Sequence, residues 1–221
     1  MKRLIAFDLD GTLVDTIADL AAALNAGLRT VGQKEKTVEE TKLLVGHSIP
    51  YMCEQALPEE LRESLYQPVF DACCAYYLDH LADSSRPYCG IPEAVSDLRD
   101  AGYTLCVVTN KPQVFATKMV DLLFPEGTFS LVLGMREGLK KKPDREMLDA
   151  AMRQLGFPPS ETIYVGDSEV DVAFARHAFV PCVACSWGFR LEEELRKMEP
   201  EVVIRFPREL VGAVEKMKNE S

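Results

Sequence analysis

Apolar residues recur along this chain with two different periods. Behind a charged start comes Leu4-Ile5-Ala6-Phe7, an unbroken apolar run that stops at Asp8, and a run so short and continuous reads as a buried strand. Over 17–81 the spacing turns helical, with no convincing strand. Ile17, Leu20, Ala21, Leu24 and Leu28 mark one face of a first helix, with Thr16 as its N-cap and Gly32 near its exit. Further helices are predicted over about 38–44, 50–56 and 60–81. Past Pro87 the two periods alternate. Helices are predicted over 91–101, 113–123, 145–155, 170–177 and 208–218, and strands over 103–108, 131–133, 162–165, 182–184 and 202–204. Apolar strands alternating with helices indicate a parallel sheet covered on both faces. The expected architecture is α/β: a Rossmann-like parallel-sheet core from 1–15 and 87–221, and a small α-helical domain from 16–86 inserted after the first strand. Thr16 and Ser84-Ser85-Arg86-Pro87 connect the two and are candidate hinges.

Composition narrows the partners. The 221 residues are 47% hydrophobic and carry a formal charge of −10, which argues against a general nucleic-acid binder. An anionic ligand must then be drawn by local cations. The opening apolar run is too short for a signal peptide, and no stretch of 18 uncharged apolar residues exists for a membrane span. A cytoplasmic protein without membrane contact is expected. The seven cysteines are odd in number. Cys182-Val183-Ala184-Cys185 lies in a predicted buried strand with no second pair, so small buried hydrophobes in a reducing compartment are expected over zinc or redox use. Oligomeric state is not legible.

The candidate chemistry sits just behind the strands, where ligands gather in parallel sheets. Asp8-Leu9-Asp10-Gly11-Thr12 places two carboxylates two residues apart at a strand's end. Such acids repel unless a cation is present or one keeps a proton. A phosphoryl-transfer site exploits this: one carboxylate attacks, its neighbour trades protons and a metal offsets the charge. A solvated turn is the alternative. Thr12 offers a hydroxyl and a backbone N–H to an anion. Thr109-Asn110 could donate to phosphate oxygens or cap a helix. Lys140-Lys141-Lys142-Pro143 supplies cations or a solvated face. Gly166-Asp167-Ser168-Glu169-Val170-Asp171 is an acidic loop opening a helix.

These four stretches, in this order, resemble the four motifs of the haloacid dehalogenase superfamily of aspartate-nucleophile phosphatases, in its phosphoglycolate phosphatase-like branch. The resemblance covers the core from Phe7 to about Gly188, and the helical insert is similar to the cap of that superfamily. It implies Asp8 as nucleophile, Asp10 as acid and base, and Thr109 and Lys142 as stabilisers of the transferring group. The motif places its lysine directly before a proline, which picks out Lys142. Its commoner form has a second proline where Arg145 stands, so the choice between Lys141 and Lys142 stays open. The resemblance further implies Mg²⁺ held by the Asp8 carboxylate, the Asp10 backbone carbonyl and Asp167, with Asp171 as a ligand or orienting a bound water. Thr12, Asn110 and, from the cap loop Val45-Gly46-His47-Ser48, His47 would contact substrate.

The expected function is Mg²⁺-dependent hydrolysis of a small phosphorylated metabolite through an aspartyl-phosphate, with 2-phosphoglycolate the leading substrate. Alternatives are a sugar-phosphate mutase similar to β-phosphoglucomutase, a pyrophosphatase or nucleotide hydrolase and, from another class, a catalytically idle phosphate-binding protein. His80 and His177 read as helix C-terminal residues, Arg190 as a surface arginine, and Cys73 and Cys74 as structural.

Overall fold

The computed structural model describes residues 4–219. Residues 1–3, the start of the expected core segment 1–15, lie outside them. Strand β1 (Leu4–Phe7) is followed by a turn over 8–13 and the two-residue strand β2 (Val14–Asp15). Helices α1 (Ile17–Thr30), α2 (Val38–Lys42), α3 (Ile49–Gln55) and α4 (Arg62–His80) come next. Strand β3 (Arg86–Pro87) leads into α5 (Ile91–Asp100), β4 (Thr104–Pro112), α6 (Gln113–Leu123) and β5 (Leu131–Met135). The chain then alternates α7 (Glu146–Leu155), β6 (Thr162–Gly166), α8 (Glu169–His177), β7 (Cys182–Cys185), α9 (Glu192–Lys197), β8 (Val202–Ile204) and α10 (Leu210–Asn219). Among the described elements the sequence pattern misses the two-residue strands β2 and β3 and, of the helices, α9. Its single buried residue, Leu195, gives no period to read.

Six strands form one sheet in the order β5-β4-β1-β6-β7-β8, and every neighbouring pair is parallel. This is the α/β sheet that the alternating pattern predicts. Strand β1 lies at its centre and is wholly buried. Its alternating side chains serve two cores. Leu4 and Ala6 pack with Met147 and Leu148 of α7 and Phe174 of α8. On β1's other face Phe7 meets Phe129 edge-on, with ring centroids 6.2 Å apart. Fully burying a side chain like Phe7 contributes about 2–3 kcal/mol. The register aligns Phe7 with Val107 and Val165, so the next residue, Asp8, emerges level with Val108 of β4 and the carboxyl end of β6.

By internal contacts the chain falls into two compact units, one running up to Val14 and resuming at Pro87, the other Asp15–Arg86. The second unit is helical and built on α1 against α4. Thr16 stands at the N-cap of α1 but makes no capping hydrogen bond, and its buried hydroxyl has no partner among the described residues. Asp19, one turn in, is buried instead to receive the Ser84 and Ser85 backbone N–H groups at 3.0 and 2.8 Å and the Ser85 hydroxyl at 2.6 Å. That fixes the start of α1 to the segment after α4. Among the described residues no helix is long and apolar enough to cross a membrane.

Candidate active site

Asp8 follows β1 directly, and its N–H is donated to the Val165 carbonyl of β6 at 2.9 Å. Gly11 makes the turn possible by adopting φ +84°, a region that disfavours side chains. A Cβ there would also strike the Asp167 carboxylate. Asp8 and Asp10 take different cations. The Lys142 ammonium lies 2.9 Å from Asp8 Oδ1. Lys111 touches both Asp10 oxygens, at 2.8 and 3.1 Å.

Lys142 is fully buried and faces three oxygens: Asp8, Asp171 Oδ1 at 2.7 Å and the Tyr164 hydroxyl at 3.0 Å. The Tyr164 hydroxyl also reaches the Val108 carbonyl at 2.9 Å. Burial works against the Lys142 charge, but Asp171 and Asp8 outweigh it and hold the ammonium above the ordinary lysine range. Lys141 is exposed, so of the two lysines Lys142 reaches the carboxylates. Asn110 holds its loop: the Asn110 side chain accepts from the Lys142 N–H at 2.8 Å and donates to the Lys142 carbonyl at 3.1 Å. That side chain therefore braces the loop that carries Lys142.

Strand β4 runs on to Pro112, with a register shift between Val108 and Pro112. Thr109, Asn110 and Lys111 thus sit in an irregular strand end, a setting that re-aims side chains. Thr109 Oγ1 accepts the Lys111 N–H at 3.2 Å. Its own proton has no protein acceptor among the described residues.

Asp167 and Asp171 lie behind β6. Asp167 accepts the Thr12 hydroxyl at 3.0 Å and the Phe189 N–H at 2.9 Å. Thr12 is wholly buried, so its hydroxyl orients Asp167 where a contact to an anion is expected. Asp171 engages both oxygens: Oδ1 with Lys142, and Oδ2 with the Ser168 hydroxyl at 2.6 Å in a capping box that opens α8. Sequence reasoning also misses Gly188, where a Cβ would overlap Asp167 and the Gly11 carbonyl. His47 belongs to the helical unit, with its ring 4.5 Å from Tyr51. The cysteines are unpaired, and burial pushes the thiols of Cys182 and Cys185 well up; such thiols are inert.

Oxygens of Asp8, Asp167 and Asp171 lie within 4.8 Å of one another, all three residues buried. Burial raises the Asp8 carboxyl to about 6, with Lys142 offsetting part of the effect and Asp171 adding repulsion. Burial, then Asp171 and Asp8, raise Asp167 well above the usual carboxylate range against the Phe189 and Thr12 hydrogen bonds. Beyond its ion pair with Lys142, the buried Asp8 Oδ1 has no well-aligned hydrogen bond among the described residues. The Lys142 ammonium touches two of the three carboxylates, Asp8 and Asp171, so with all three ionised the cluster has a deficit of two positive charges. An all-oxygen set with that deficit could bind a hard divalent cation.

The profile of the family described as haloacid dehalogenase-like hydrolase matches residues 5–185. The chain is 34% identical over 209 residues to a phosphoglycolate phosphatase of Mesorhizobium japonicum, covering 92% of this chain and 90% of that protein. It is 32% identical over 216 residues to a phosphoglycolate phosphatase of Pseudomonas syringae pv. tomato, covering 96% and 79%. A solved structure from Lactobacillus delbrueckii subsp. bulgaricus, described as a candidate phosphoglycolate phosphatase, superimposes with a TM-score of 0.90 at 33% identity, covering 97% of this chain and 99% of that one.

Proposed function

The chain belongs to the haloacid dehalogenase-like hydrolase family, and we propose that it is a Mg²⁺-dependent phosphomonoester hydrolase that works through an aspartyl-phosphate on Asp8. The observation that carries this reading is the buried cluster of Asp8, Asp167 and Asp171 at the end of the central strand, with Lys142 on Asp8 and Asp171. The names of the relatives make 2-phosphoglycolate the first substrate to try.

Asp8 attacks phosphorus in line as the bond to the leaving oxygen breaks, and Asp10 gives that oxygen a proton. Asp10 then takes a proton from the water that attacks the aspartyl-phosphate, which releases phosphate and restores Asp8. Lys142 and the Thr109 hydroxyl balance charge on the equatorial oxygens. Asp8 and Asp167 would hold Mg²⁺ with the Asp10 backbone carbonyl, and Asp171, already tied to Lys142 and Ser168, would support them or orient a water. When bound, the ion supplies charge compensation for the phosphoryl oxygens. Choice of leaving group falls to the Asp15–Arg86 unit, read as a cap over 16–86, with His47 as a contact. A cytoplasmic setting, rich in phosphorylated metabolites, suits this chemistry.

The test is phosphate release from 2-phosphoglycolate, hexose phosphates, nucleotides and pyrophosphate, with and without Mg²⁺, beside Asp8→Asn. Isomerisation of β-glucose 1-phosphate is followed separately. We expect Mg²⁺-dependent release concentrated on 2-phosphoglycolate and abolished in folded Asp8→Asn. Isomerisation in place of release would make the protein a mutase, and preferred pyrophosphate cleavage a pyrophosphatase. Phosphate binding without turnover would leave an idle binding protein.

A further inference from the structure

The geometry points to Lys111 as the positioning residue of the Asp10 carboxylate, a role that rests on the acid–base reading of Asp10 above. The two residues are 101 positions apart, yet the Lys111 ammonium meets Asp10 Oδ1 at 2.8 Å and Oδ2 at 3.1 Å. A single contact would leave the carboxylate free to turn about its last bond, whereas contact with both oxygens sets its plane. The Lys111 side chain is fully excluded from solvent, while that of Asp10 keeps 15% of its surface exposed. The anchor is therefore interior and the anchored group stands at the edge of the site, as a proton-transfer group must.

The backbone beneath Lys111 is fixed as well. Its N–H is donated to Thr109 Oγ1 at 3.2 Å. Its carbonyl oxygen would sit only 2.7 Å from a Cβ on Gly134 of β5, so strand and anchor are closely seated. The next residue but one, Gln113, accepts the Gly134 N–H at 2.8 Å and donates to the Val132 carbonyl at 3.0 Å. Proton transfer requires the carboxyl within about 2.6–3.2 Å of the oxygen it serves, and small misplacements cost rate steeply. The proton given to the leaving oxygen comes from the Asp10 carboxyl, and the proton taken from water returns to it.

The test is a double-mutant cycle in the full chain with Mg²⁺: wild type, Lys111→Met, Asp10→Asn and the double variant. Two substrates are compared, the alkyl phosphate turned over fastest by the wild type and 4-nitrophenyl phosphate, whose leaving oxygen needs little protonation. Asp10→Asn should lower kcat on the alkyl phosphate about 10²–10⁴-fold. Lys111→Met should lower it about tenfold or more with KM within about twofold, should spare the first-turnover release of nitrophenol, and should cost nothing further in the Asp10→Asn background. Additive losses, a raised KM, or equal losses on both substrates in the first turnover would make Lys111 a phosphate ligand or a scaffold residue and overturn the assignment. A wild-type rate in Lys111→Met beside an impaired Asp10→Asn removes this assignment alone. A wild-type rate in Asp10→Asn removes the acid–base reading as well. If Lys111→Met does not fold, as judged by circular dichroism, Lys111→Gln takes its place in the cycle.

Discussion

Asp167 is held by contacts that come from two places in the chain. Thr12 and Phe189 each donate to one of its oxygens, and Gly11 and Gly188 leave no room for a methyl beside it. Supporting contacts of this kind are worth about 10–100-fold in metal affinity. Gly188→Ala should therefore raise the Mg²⁺ concentration for half-maximal activity by about tenfold or more. A metal titration unchanged from wild type would contradict ligation by Asp167. At this scale the sequence is legible where a residue announces itself. Asp8, Asp10, Lys142 and Asp167 are carboxylates and an ammonium just behind predicted strands. Lys111, Tyr164 and Gly188 are not legible in this way, because each acts through a neighbour far along the chain. Lys111 meets Asp10 across 101 residues, and Tyr164 meets Lys142 across 22. Thr12 is the converse case: its hydroxyl is visible in the sequence, but its partner proves to be Asp167.

Elements were easier to read than their ends. The core strands are continuous apolar runs because both sheet faces are covered, and that signal survives without any alignment. Strand β4 defeats the boundary rule. Its apolar part stops at Val108, yet pairing with β5 resumes at Pro112 after a register shift, so polar Thr109, Asn110 and Lys111 are carried on a strand end. Irregularity there brings the Lys111 ammonium to Asp10 and the Asn110 amide to the Lys142 backbone. Helix α8 shows the opposite relation. The sequence places an acidic loop at its start, and in that loop Ser168 caps the helix while its partner in the cap, Asp171, also meets Lys142. One side chain thus begins a helix and fixes a cation in the site.

Across the molecule, an acidic chain gathers three buried carboxylates and sets one lysine against two of them. This arrangement has a sign that can be checked. The Asp8 carboxyl is held at about 6 against an ordinary 3.8, so the folded protein binds its proton more tightly than the unfolded chain does. Stability of the metal-free protein should then fall as pH rises from about 4 to about 6 and stay low above it. A divalent cation competes for the same oxygens. At about a hundredfold its Kd, Mg²⁺ should raise Tm by about 5–10 °C at pH 7.5 and by much less at pH 5. An equal rise at both values would show that the carboxylates are not where the cation binds.

The central claim is a phosphoryl group carried on Asp8. It is tested most directly by quenching the protein in acid during Mg²⁺-dependent turnover, digesting it, and weighing the peptide that contains Asp8. The account predicts a fraction of that peptide heavier by one phosphoryl group, with the addition lost on treatment with hydroxylamine and absent from Asp8→Asn. Turnover by Asp8→Asn at the wild-type rate, or a phosphoryl group found on another residue, would contradict it.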